Sequence, residues 1–226
     1  MLGHNADGWE NAGLHNLLVG KVAGMTLQYA GCTTEEIIRA MYAGVIHDAR
    51  QRRLKEAAGN NARTVNGITT YDMSQQAIEA TERLHLIEAH VPGLECVHPD
   101  IHAIIQVTSL NWDYPYWSNE MAALRYADSC VGSLPQESGV HGNAEDLLGY
   151  DARIRILKQR KPEFTDDWDR LFTLTQNLER NFICLVNNWN RDTIGDIPQE
   201  ERTRFLQTIR NEIGAQTPLP YIALAA

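Results

Sequence analysis

An all-α, single-domain helical bundle of about seven to nine helices is what this sequence predicts, on three observations. Apolar residues recur at three- and four-residue spacing over most of the 226 residues. No segment alternates cleanly with period two. Helix start and stop signals punctuate the chain at helical lengths. The main helical body is expected over 1–190, with a C-terminal helix and tail over 191–226 packed on it.

Each element has its own warrant. Leu14, Leu17, Leu18, Val22 and Met25 mark the apolar face of a first helix that ends near "YAGC". "TTEE" reads as a capping box, with Thr33 as cap and Glu36 reaching back to it. Ile37, Met41 and Val45 then fall at i, i+4 and i+8 of a second helix. The composition of 59–67, "GNNARTVNG", predicts a loop. A third helix is expected from about Asp72 to His90, stopping at a Pro-Gly pair. Pro99 suits the first turn of a fourth, through Ile101, Ile104 and Ile105. "NWDYPYWSN" breaks the period. A fifth helix follows Asn119 with Met121, Leu124 and Val131, then a long loop over 132–149. Further helices are expected over about 151–160, 166–188 and 198–213.

Composition narrows the functional classes. The net charge of −9 disfavours broad nucleic-acid or anionic-membrane binding, because phosphate would be repelled. A small anion in a locally basic pocket stays allowed. Cys32, Cys96, Cys130 and Cys184 are widely spaced and form no CxxC pair, which argues against a disulfide framework or a zinc ribbon. The opening "MLGHNADGWENAG" has no signal-peptide pattern, and no run of about 18 apolar residues occurs. A cytoplasmic protein with no membrane partner is expected. Exposed helical faces make a homodimer plausible.

Several polar residues point where a core should be. His15 shares a helical face with Leu18, Val19 and Val22. Asp48 follows Ile37, Met41 and Gly44 on one face, next to His47. Asp128 lies four residues after Leu124 and seven after Met121. A buried carboxylate costs several kcal/mol unless its charge is compensated. One such residue is an ordinary hydrogen-bonded core aspartate; two, with two imidazoles, point to a shared cation. This donor set suits a divalent first-row metal with open water positions. Such an ion lowers the pKa of bound water and neutralises charge on a phosphoryl oxygen. Mn, Co, Fe, Mg and Zn all remain open, since the ligand types do not choose among them.

The segments "GLHNLLVGKVAG", "VIHDARQRR" and "LRYADSCVG" resemble, in order and in helical placement, the H…HD…D signature of the HD-domain superfamily. The resemblance spans roughly residues 10–135. It implies an HD-type helical bundle, metal-dependent phosphohydrolase activity, and His15, His47, Asp48 and Asp128 as metal ligands. Many members carry a phosphate-touching lysine three residues after the HD aspartate. Here that position is Gln51, followed by Arg52 and Arg53. Arg52, with Arg53, is therefore expected to hold the substrate phosphate, since a guanidinium binds phosphate oxygens bidentately. From Ala49 to Arg63 there are five basic residues and one acidic one.

Other residues join as candidates. Asp113, in the aromatic cluster Trp112, Tyr114, Tyr116 and Trp117, could position water as a general base. Those aromatics could wall a pocket and stack on a base. Thr108 and Ser109 stand where the cyclic-dinucleotide branch has paired histidines, so that specificity is not expected. The basic run "RIRILKQRK" is scattered around its helix axis and reads as a solvated face. The expected function is hydrolysis of a small, nucleotide-like phosphorylated substrate, with Asp48, Arg52 and Asp113 catalytic. Two alternatives stand beside it. One is an inactive HD-type nucleotide-binding or regulatory module, motivated by Gln51. The other is a di-iron oxygenase of the same scaffold, which needs His98 and His102 as additional ligands.

Overall fold

The computed structural model describes residues 12–48, 63–65, 68–70, 101–108, 117–132 and 142–215. Among them are seven α-helices: α1 (Ala12–Tyr29), α2 (Thr34–Ile46), α3 (Ile101–Gln106), α4 (Asn119–Cys130), α5 (Tyr150–Arg160), α6 (Thr165–Asn187) and α7 (Gln199–Ala215). The predicted all-α bundle is what the chain forms. Three-residue strands β1 (Arg63–Val65) and β2 (Ile68–Thr70) pair antiparallel, with Val65 opposite Ile68. They fall partly within the stretch predicted as loop. The intervening dipeptide, Asn66–Gly67, is the strongest short hairpin signal, and a composition reading passes over it. The helix expected over about 72–90 lies outside the described residues.

Helix α1 is central. It packs against α2, α4, α6 and α7, and Leu18, Val19, Val22, Ala23 and Leu27 are all but fully buried. Each Leu or Val burial here is worth about 2 kcal/mol. A helix covered on several sides carries no narrow apolar stripe. That is why two of the five residues assigned to its inner face, Leu14 and Leu17, are exposed instead. The chain leaves α1 through a Schellman turn: Cys32 N–H donates to Leu27 O and Gly31 N–H to Gln28 O, with Gly31 at φ +74°.

Helix α2 starts at the predicted capping box. Glu36 N–H donates to Thr33 Oγ1 at 3.3 Å, and Thr33 N–H donates to Glu36 Oε2 at 2.8 Å. Its buried face is not the predicted Ile37–Met41–Val45 row. Ile37 and Met41 are half-buried and Val45 is exposed, while Ala40, Ala43, Gly44 and Ile46 are buried. The cause is a close backbone approach between α1 and α2. A Cβ added at Gly44 would lie 2.5 Å from Gly20 Cα, and one at Gly20 would lie 2.7 Å from Met41 O. Only glycine fits on both sides, so small residues rather than large apolar ones face the partner.

A polar tie then sets how α4 lies beside α2. Asn119 Nδ2 donates to Glu36 Oε1 at 2.8 Å, and Arg39 Nε donates to Glu120 Oε1 at 2.8 Å. These contacts join the N-terminal turns of both helices. Since both helices then run the same way, their C-terminal ends reach the same end of the bundle, carrying His47, Asp48 and Asp128 there. Past α4, Val131 bridges Leu147, and Arg210 of α7 donates to Leu147 O. Phe205, Ile209 and Ile213 of α7 lie in the main core. Cys32, Cys130 and Cys184 are free thiols. Among the described residues no helix is long and apolar enough to cross a membrane.

Candidate metal centre

Three helices bring four donor side chains together. His15 comes from the first turns of α1, His47 and Asp48 from the end of α2, and Asp128 from the last turn of α4. His15 Nε2 lies 3.4 Å from Asp128 Oδ1 and 4.0 Å from Asp48 Oδ2. His47 Nε2 lies 3.6 Å from Asp128 Oδ1 and 3.5 Å from Asp48 Oδ2. Both imidazole nitrogens thus face the same two carboxylate oxygens. His15, His47 and Asp48 each offer a donor atom within 4.8 Å of the others. The His47 side chain is 1% exposed, whereas Asp128 keeps 21%, so the cluster is closed behind and reachable in front.

The orientation of His47 is fixed from behind. Its Nδ1 lies 2.7 Å from Gly44 O, in the last turn of α2, and a carbonyl can only accept. Nδ1 therefore carries a proton, and in the neutral ring the Nε2 lone pair faces the two carboxylates. A lone pair aimed at two anions is tolerable only with a proton or a cation between them. With a proton, the pair is self-consistent. Burial pulls the His47 imidazole down, but the charge of Asp48 and the Asp128 carboxylate outweigh it and raise it to about 9. Burial pushes Asp128 up, yet His15, His47 and Arg125 together hold it well below the usual carboxylate range.

The same geometry accepts a divalent ion. Two donors about 2.1 Å from one ion are about 3.0–3.4 Å apart at angles of 90–110°, and approach about 4.2 Å when opposite. The observed separations of 3.4–4.0 Å fall within that range and exceed an ordinary N–H···O bond. Two neutral imidazoles and two carboxylates are also a suitable donor set for Zn, Mn, Fe or Co. His15, His47 and Asp48 therefore fit a metal ion, with Asp128 standing beside both imidazoles.

Two arginines that the sequence reading did not assign to the site stand beside it. Arg125 of α4 is buried and donates to Val107 O at 3.2 Å and Thr108 O at 3.0 Å, just past α3. Its Nη1 lies 3.6 Å from Asp128 Oδ2. Asp128 is thereby turned, with one oxygen to the histidines and the other to the guanidinium, the usual way an outer partner orients a ligand. The i, i+3 spacing of Arg125 and Asp128 on a predicted helix was a readable signal for this pair. Arg153 of α5 belongs to the run predicted as a solvated face, but it is partly buried and its Nε is enclosed. Burial pushes its guanidinium down while the Asp128 charge pulls it up, so it lies within electrostatic reach of the cluster. No sequence signal links it to Asp128, because the pairing exists only through the packing of α5 on α4.

Arg52, Arg53 and Asp113 lie outside the described residues, as do Gln51, His98 and His141. Only the backbone of His102, in α3, is described. The class defined by fold and geometry is an all-α bundle with a two-histidine, two-aspartate cluster at one end. No protein-family model, curated protein or solved structure matches the chain.

Proposed function

We propose that this protein is a metal-dependent hydrolase of phosphate esters, of the HD-domain kind, acting on a small nucleotide-like substrate. The observation that carries the reading is the convergence of His15, His47 and Asp48, whose donor atoms lie within 4.8 Å of one another, with Asp128 beside both imidazoles. These residues would hold a divalent ion, which would supply an activated water near neutral pH and offset charge on the phosphoryl group. The protein's own contribution is placement. His47 is held through its Nδ1 by Gly44 O, so its Nε2 is presented as a donor. Asp128 is held by Arg125, which also adds positive charge behind the carboxylate. Asp48 follows His47 directly, and the two present donors to the same point. The exposed front of Asp128 leaves room for a substrate to approach.

The test is metal analysis of the purified full-length chain, then chelation and reloading with Mn, Co, Fe, Mg or Zn. Nucleotides and generic phosphate esters are assayed at each step. About one equivalent of bound metal is expected, with hydrolysis lost on chelation and restored by at least one ion. Absence of hydrolysis with every ion, despite metal in the site, would remove the enzyme and leave a binding module.

A further inference from the structure

The arginines of the bundle differ in what holds them. Arg125 is bonded to Val107 O and Thr108 O and faces Asp128. Arg39 is bonded to Glu120 and Glu35, and Arg202 to Glu179 and Asp151. Arg153 makes no hydrogen bond or ion pair of this kind among the described residues, and its enclosed Nε has no hydrogen-bond partner. A desolvated, uncommitted guanidinium is costly, and it is stabilised by whatever anion its fork can meet.

Its position is defined by Gly132. This residue lies just past α4, four residues beyond Asp128 and after the extended Val131. A Cβ there would be 2.5 Å from Arg153 Cδ, 2.6 Å from Nε and 2.9 Å from Cζ. The end of the Arg153 stem and its guanidinium thus occupy the space that a side chain at Gly132 would take. At the other end of its stem, Arg153 sits in the first turn of α5, where its N–H donates to Gly149 O at 3.0 Å. The Asp128 charge reaches it. Charge balance then decides which ligand the site favours. Asp48 and Asp128 together offset one divalent ion. Arg125 and Arg153 leave the loaded cluster net positive, so it attracts an anion.

We propose that Arg153, lying over Gly132 beside the metal cluster, grips the phosphoryl oxygens of an anionic phosphate-ester substrate. The proposal rests on the metal-dependent reading above. It assigns phosphate recognition to α5, independently of the arginines that follow Asp48. Gly132 is part of the device, because its missing side chain leaves the space in which the guanidinium lies.

The probe is inorganic phosphate, titrated calorimetrically into the Mn²⁺-loaded full-length protein, with Mn²⁺ affinity measured first for every variant. R153Q is expected to weaken phosphate binding about 10–100-fold while Mn²⁺ affinity stays within about threefold of wild type. R153K keeps the charge but loses the planar fork, and an intermediate loss of about 3–10-fold is expected. G132A keeps the arginine and its charge but pushes its flexible end aside with a methyl group, and a loss of about 3–10-fold is expected. The R153K and G132A variants also decide the matter if R153Q does not fold. Unchanged phosphate affinity in R153Q, or in G132A and R153K together, overturns the proposal. So does a loaded wild type that binds no phosphate, and the metal reading then survives. A wild type that binds none of Mn, Co, Fe, Mg and Zn overturns both.

Discussion

Two regions of this bundle bury carboxylates, and they resolve the problem in opposite ways. Glu179 of α6 sits among α4, α5 and α7. Tyr126 O–H donates to its Oε1 at 3.1 Å and Arg202 Nε to its Oε2 at 2.8 Å. Arg202 also bonds the Tyr150 hydroxyl and Asp151. Both oxygens of Glu179 are thus served at hydrogen-bond length, and its side chain is only 6% exposed. Asp128, two residues after Tyr126 and so on the other side of α4, faces two imidazoles at 3.4 and 3.6 Å and a guanidinium at 3.6 Å. The titration directions diverge accordingly. Burial outweighs Arg202 and raises Glu179, whereas three cationic or proton-donating neighbours outweigh burial and lower Asp128. Burial of an acid does not by itself mark a functional site. What distinguishes the two is whether the partners close on the carboxylate or converge with it on a common point.

The largest expected effect comes from removing one converging ligand. Asp128→Ala should abolish stoichiometric metal binding and reduce hydrolysis by at least about 10³-fold, or about 4 kcal/mol in the barrier. Glu179→Ala should do the reverse. It leaves the Arg202 guanidinium short of its main partner and should cost about 3–5 kcal/mol in denaturant unfolding, with metal content unchanged in the folded protein. A Glu179→Ala protein that folds but loses metal would erase the distinction between the regions, as would an Asp128→Ala protein that keeps its metal.

How much of this contrast could be read beforehand follows from what each residue depends on. His15, Asp48 and Asp128 each interrupt an apolar helical row, so their inward direction was legible from periodicity, and His47 was marked by its place beside Asp48. Their meeting point was not given by period. It depends on the Gly20–Gly44 contact and on the Glu36–Asn119 tie, which are tertiary facts. The helices α4 to α7 fall within one or two residues of their expected ends, because caps and apolar spacing are local. Val45 shows the opposite case: a large apolar residue at correct spacing lost its place to glycine once two backbones came together. Arg153 had no local signature, and its reading as a solvated face changed with the packing of α5 against Gly132.

A smaller effect is expected from pH, and its sign follows from His47. In the metal-free cluster this ring is protonated below about 9, above the ordinary histidine value. A raised folded-state pKa adds stability that is full below about 6.5 and fades as pH climbs through about 9. A metal ion requires the neutral ring and must displace that proton. Metal affinity should therefore rise with pH, approaching tenfold per unit between about 6.5 and 8.5, with about one proton released per ion. Calorimetry in buffers of different ionisation enthalpy counts those protons. Affinity that is flat over this interval would mean His47 is not a ligand. The Glu179 region carries no such group, so Glu179→Ala should leave the slope unchanged.

The smallest expected effect concerns the frame that holds the site. The Thr33–Glu36 capping box lies at the opposite end of α2 from His47, and Glu36 also accepts from Asn119 at the start of α4. Thr33→Ala removes the side-chain acceptor for Glu36 N–H but leaves the Glu36 carboxylate and its bond to Asn119. A cap of this kind is worth about 1 kcal/mol, or a fall of about 2–4 °C in Tm for a chain this size. Metal affinity should stay within about twofold, because the Gly20–Gly44 contact, close to His47, sets the position of the ligands independently of the first turn. A thermal melt with a parallel metal titration separates the two outcomes. If Thr33→Ala weakened metal binding tenfold with so small a change in Tm, alignment of the cluster would have to depend on the whole length of α2 rather than on its glycine contact with α1.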